Sequence, residues 1–171
     1  MTFVVRQLAS ITDAQIVELA RLLIDCVEGG ASVSFMDPLS IEKASAFWHR
    51  VASATARGER ALLVAEDSAS IIGTVQLILN LPENQPHRAD VSKMLVHRRA
   101  RRQGVGAAML RSGEVLAREL GKSILVLDTA SAEAERLYAR LGWVRVGVVP
   151  DYALLPGGGF CATTFFYRHL M

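Results

Sequence analysis

Apolar positions recur along this chain with two different periods, and the switches between them outline strands alternating with helices. Residues 3–8 suit a first strand. Ile16, Leu19, Ala20, Leu23 and Val27 then repeat at helical spacing until Gly29-Gly30 stops the pattern. After a loop at Ala31-Ser32-Val33-Ser34-Phe35, Ser40 is placed to cap a second helix, whose apolar face is Ile41, Ala44, Phe47, Trp48 and Val51. Trp48 is expected in the core, because surface helices bury this kind of stripe. Strands are predicted over 61–65 and 71–79, and the short 66–70 connection with Asp67 and Ser68 suits a hairpin. Pro82, Asn84 and Pro86 mark an irregular link before an extended segment at 90–96. A helix over 104–120 follows, with Val105, Met109, Gly113, Leu116 and Leu120 on one face, and then a strand over 123–127. Ala134, Leu137, Tyr138 and Leu141 give a last helix that stops at Gly142. Strands at 144–149 and 161–167 flank the turn Pro156-Gly157-Gly158-Gly159. This order predicts an α/β chain with a mixed sheet covered by helices, as a single domain over 1–171 without internal repeats.

Composition sharpens the picture in a few places. A chain of 171 residues with 51% hydrophobic residues can bury a sizeable core without staples. Cys26 and Cys161 lie far apart and are read as small apolar residues in a reducing compartment. The start MTFVVRQLAS lacks the layout of a secretory signal, and no apolar run approaches a membrane span, so a cytoplasmic protein with no membrane partner is expected. His49, His87 and His169 form no metal-spaced motif, and no metal is expected.

The formal net charge of +2 implies little, but Arg98, Arg99, Arg101 and Arg102 concentrate positive charge beside Gln103-Gly104-Val105-Gly106. That run lies between the extended segment and the long helix. Backbone amides at a helix start have no intrahelical acceptors and face the positive end of the dipole, so this turn suits a phosphate. Gly104 and Gly106 permit close approach, and the arginines can neutralise a nucleotide-like coenzyme. The Gly-Lys-Ser/Thr ending of a Walker motif is absent, and so are the modules that read nucleic acid.

These residues resemble the GNAT acetyltransferases, whose acetyl-CoA turn has the pattern Gln/Arg-x-x-Gly-x-Gly/Ala, matched by Arg101-x-x-Gly104-x-Gly106. Within that superfamily the chain is most similar to tabtoxin-resistance acetyltransferases. The stretches that carry the likeness are Gly29-Gly30-Ala31-Ser32-Val33-Ser34-Phe35-Met36, Leu127-Asp128-Thr129, Ala134-Glu135-Arg136-Leu137-Tyr138 and Val149-Pro150-Asp151-Tyr152. The resemblance implies a GNAT fold: a mixed, mostly antiparallel sheet flanked by helices, with a splayed parallel strand pair. It also implies acetyl-CoA as cosubstrate, its pantetheine arm along Leu95, Val96 and the start of His97, and its diphosphate on Arg101, Arg102, Gln103, Gly104, Val105, Gly106 and Ala107.

For catalysis the resemblance places a general acid at Tyr138 and a base at Asp90, whose shorter side chain stands where histone-type relatives carry glutamate. Asp128 would orient the amine, and Gly30, Ser32, Phe35, Asp151 and Tyr152 would join it around the acceptor. Glu28 is a further acidic residue near that end. The implied partner is a small-molecule amine, such as a tabtoxin-related β-lactam, another toxin or an antibiotic, with a homodimer allowed. A protein or peptide N-acetyltransferase and a noncatalytic acyl-CoA-binding regulatory domain remain the alternatives.

Overall fold

The computed structural model describes residues 2–170. In chain order the elements are β1 (Val4–Leu8), α1 (Asp13–Glu28), α2 (Ile41–Ala56), β2 (Arg60–Glu66), β3 (Ile71–Ile78), β4 (Arg88–Val96), α3 (Val105–Glu119), β5 (Ile124–Thr129), α4 (Ala132–Arg140), β6 (Val144–Leu154) and β7 (Phe160–His169). A short 3-10 turn at Arg98–Ala100 links β4 to α3. The strands form one seven-stranded sheet in the order β1-β2-β3-β4-β5-β7-β6. Every neighbouring pair is antiparallel except β4 and β5. The fold is therefore the GNAT α/β arrangement expected above.

Local chemistry sets the helix starts. Thr12 and Gln15 form a reciprocal capping box at α1, Ser40 caps α2 and Ser131 caps α4, each cap contributing about 1 kcal/mol. Helices α1 and α2 cover one sheet face, where Leu19, Leu23, Trp48, Leu62 and Val64 share a core. Helices α3 and α4 cover the other, where Met109, Ala117, Leu125, Tyr138 and Phe166 meet. Covered on both sides, β2 and β3 are buried along nearly their whole length, which is why they read as continuous apolar runs. Trp48 is fully buried, as its stripe predicts.

Departures from the sequence reading have physical causes. Leu120 is the C-cap of α3 and is 41% exposed, because the helix ends one residue earlier. Ile41, in the first turn of α2, stays 38% exposed. Strand β4 begins at Arg88, where it pairs in parallel with Ile124. Strand β6 continues to Leu154 past Pro150-Asp151, a dipeptide that reads as a break. It does so through an irregularity: the register passes from Val149↔Thr163 to Ala153↔Cys161, with Asp151 at φ 50°. A longer β6–β7 hairpin results.

Two features position the site. Parallel pairing of β4 with β5 stops after Asp90↔Val126, so the strands separate beyond it and leave the β5-facing edge of residues 91–96 open. Within that opening, the β3–β4 register changes from Gln76↔Ser92 to Thr74↔Leu95, so β4 uses three residues where β3 uses two. This bulge puts Lys93 at φ 50° and re-aims its side chain.

Candidate active site

One cavity of about 1240 Å³ runs through the gap between the separated strands, from the start of α3 to the loop between α1 and α2. At the α3 end, the N-cap Gly104 has φ 84° and supplies no side-chain cap. The first amides of α3, at Val105, Gly106 and Ala107, therefore lack both intrahelical and side-chain acceptors, and these residues line the cavity. Only glycine adopts the Gly104 conformation without strain. At Gly106 an added Cβ would lie 3.2 Å from Leu137 Cδ2 and 3.4 Å from Met94 Cε, so the missing side chain keeps this cradle open.

The arginine run divides by function. Arg98 is held by Asp25 at 2.8 Å and Glu28 at 3.1 Å, and Arg99 by Asp67 and Ser70. The paired guanidinium keeps Asp67 well below the usual carboxylate range. These two arginines fasten the turn to α1 and to the β2–β3 hairpin. Arg101 and Arg102 face the cavity instead, with Arg101 donating to the Val96 carbonyl at 3.3 Å. Gln103, expected at the phosphates, lies off the cavity with its amide on the Arg99 carbonyl.

His97 also turns away. Its Nδ1 accepts from the Arg99 amide at 3.2 Å and lies 3.4 Å from Asp25, while its own amide donates to Ile72 and its carbonyl accepts from Ala100. With both backbone groups engaged, the open edge of β4 is left to Leu95 and Val96, which do line the cavity.

At the middle of the cavity stand Tyr138 and Asp128. Tyr138 projects from α4 with its ring packed against Trp143 and Phe166, and it is 4% exposed. Burial, reinforced by the negative charge of Asp128, pushes its hydroxyl well above the ordinary tyrosine value. The hydroxyl therefore stays a proton donor at neutral pH. Asp128, on β5 just past the strand separation, accepts from Thr163 Oγ1 at 2.7 Å. Asp90 sits differently: its position is still within the paired part of β4, where the sheet is closed, and it does not line the cavity. Its carboxylate lies 3.2 Å from Arg88 Nη1, and burial raises its pKa.

The far end is roofed by residues 29–36, all of which line the cavity, including Gly30, Ser32 and Phe35. Ser32 donates to the Leu154 carbonyl at 3.3 Å and Asp37 N donates to the Pro156 carbonyl at 3.0 Å, tying this loop to the β6–β7 hairpin. Tyr152 joins the lining, whereas Asp151 and Glu28 stay outside it. Lys93, Thr163 and Cys161 also line the cavity and were not singled out by the sequence. Lys93 owes its place to a bulge that leaves no local signature.

Free amides at a glycine-led helix start, an open strand edge and a buried hydroxyl lie along one continuous cleft. Residues 19–143 match the Acetyltransferase (GNAT) family, and the chain belongs to that family. Solved structures agree on the fold. One is yncA from Salmonella typhimurium with its cofactor acetyl-CoA, at TM-score 0.79 and 18% identity, covering 99% of this chain and 94% of that one. Ribosomal-protein-alanine N-acetyltransferase from Brucella melitensis has TM-score 0.82 and 22% identity over 98% and 99% of the two chains. A candidate phosphinothricin N-acetyltransferase has TM-score 0.80 and 16% identity, covering 99% of each. Among the described residues no cluster of three or more His, Cys, Asp or Glu side chains could hold a metal ion, and no helix is long and apolar enough to cross a membrane.

Proposed function

We propose that the chain acetylates the amine of a small molecule, with a tabtoxin-related β-lactam amine as the specific candidate acceptor. The observation that carries this reading is the roof over the acceptor end. Ser32 bound to Leu154 and Asp37 bound to Pro156 join the α1–α2 loop to the β6–β7 hairpin, leaving a recess where a threaded peptide would need an open groove. The candidate phosphinothricin N-acetyltransferase among the neighbours is named for a small acceptor and supports the same class. The whole 29–36 run that resembles tabtoxin-resistance proteins faces the recess, which supports the specific candidate.

Acetyl-CoA supplies an acyl group already activated as a thioester. The chain holds the diphosphate with the amides of Val105, Gly106 and Ala107 and the charges of Arg101 and Arg102, and receives the pantetheine arm along Leu95 and Val96. Asp128 orients the acceptor amine, which must lose its proton before its lone pair can attack. Tyr138 donates its proton, or a hydrogen bond, to the departing sulfur. Asp90 lies behind the cavity wall, so its part in removing the amine proton runs through solvent.

The test is a kinetic screen of amines with acetyl-CoA that detects both acetylated product and free coenzyme thiol. Small amines should give both signals together. Transfer confined to peptide amino termini would replace the small-acceptor reading, and coenzyme binding with no transfer to any amine would make the domain noncatalytic.

A further inference from the structure

Lys93, Arg136 and Arg140 are cavity-lining cations that the acetyl-transfer scheme leaves unused, and of these Lys93 is the one bonded to the roof. The β4 bulge turns it toward the roof, where Nζ donates to Ser34 Oγ at 3.0 Å and sits 5.8 Å from the centre of the Phe47 ring. Among the described residues no carboxylate comes within the 4.0 Å of an ion pair with it. A hydroxyl and an aromatic face are poor compensation for an ammonium withdrawn from water. Burial, and next the positive charge of Arg60, push the Lys93 ammonium below the ordinary lysine value, while Asp128 acts in the opposite sense. The site is short of an anion.

Across the cleft Asp128 presents the opposite charge from β5. The two side chains line the same cavity without closing on each other, which leaves room between them. Lys93 is also on the acceptor side: its partners Ser34 and Phe47 belong to the roof and α2, whereas the coenzyme's anionic groups belong at the start of α3.

We propose that Lys93 is a specificity-determining residue that binds the carboxylate of an acceptor with the charge layout of an amino acid, its reactive amine lying toward Asp128. This rests on the N-acetyltransferase reading and adds to it a substrate class: amines that also carry a carboxylate.

The test pairs α-amino acids with their own carboxamides, which keep the shape and the amine but lose the negative charge. The wild-type protein should use the acids with at least tenfold higher kcat/KM than the amides. Lys93→Met should remove that preference through KM for the acids, leave the amides and the coenzyme A dissociation constant unchanged, and be partly rescued by Lys93→Arg. Equal use of acid and amide by the wild type, or a Lys93→Met loss in kcat alone, overturns the assignment; the latter points to proton handling. If no member of either set is acetylated, the enzymatic reading fails separately, and calorimetry on the coenzyme A-loaded protein still decides the site. Tighter binding of acids than amides, lost in Lys93→Met, upholds it; no binding, or no difference, rejects it.

Discussion

Gly104 tests the coenzyme end because strain and charge can be separated there. The residue has φ 84°, and a Cβ built on it meets no heavy atom within 4 Å, so Gly104→Ala changes backbone preference without a clash. Holding a non-glycine residue in the left-handed region costs about 1–2 kcal/mol, to be read as lost stability in chemical denaturation. Gly104→Asp carries similar strain and adds a negative charge beside the amides of Val105, Gly106 and Ala107. A unit charge about 6 Å from one phosphate charge contributes roughly 0.7 kcal/mol in water and roughly 2.8 kcal/mol at an effective dielectric near 20. The expected weakening of coenzyme A binding relative to Gly104→Ala is therefore about 3- to 100-fold, measured by calorimetry, and it should shrink as salt is raised. Equal dissociation constants for the two folded variants would refute the placement of the diphosphate on this turn.

Three further outcomes follow from the centre of the cleft. Tyr138→Phe should keep the ring packing against Trp143 and Phe166 and bind acetyl-CoA normally, yet lose about 100-fold in kcat; unchanged turnover across pH would remove the acid role. Because the folded state raises the Tyr138 pKa above its ordinary 10.0, the unfolded chain ionises first, so stability should fall as pH rises past about 10. Denaturation of Tyr138→Phe should show a shallower alkaline fall, and an identical slope would count against burial of the hydroxyl. Asp128→Asn should lower kcat/KM for the amine at least tenfold across pH with little change in coenzyme affinity, whereas Asp90→Asn should cost less, as expected of a side chain off the cavity; the reverse ranking would restore Asp90 as the base.

Legibility in the sequence follows how local each determinant is. The coenzyme turn could be read because its chemistry lies in a few consecutive residues between a strand and a helix, and Gly104, Val105, Gly106 and Ala107 stand where their spacing puts them. Within that same run Arg98, Arg99, Gln103 and His97 look equivalent to Arg101 and Arg102 on paper. What separates Arg98, Arg99 and His97 is long-range pairing, with Asp25 and Glu28 on α1 and Asp67 on the hairpin, which no local pattern encodes, whereas Gln103 is held back by the nearby Arg99 carbonyl. The same limit explains β6, whose passage through Pro150-Asp151 depends on its pairing with β7.

The acceptor end is the extreme case, and its specificity follows from the register of the sheet. Had β4 kept regular alternation opposite β3, Ser92 and Leu95 could not both hold their present pairings, because three steps on one strand face two on the other. The extra residue puts Lys93 at positive φ, a conformation unfavourable for a lysine. Its side chain is then met by Ser34, 59 residues earlier in the chain, on a loop that is itself pinned by Leu154 and Pro156. Three separate segments must fold before the lysine has a surrounding. Substrate choice and coenzyme binding thus rest on different parts of one strand: the bulge sets the first, and the open edge beyond it serves the second.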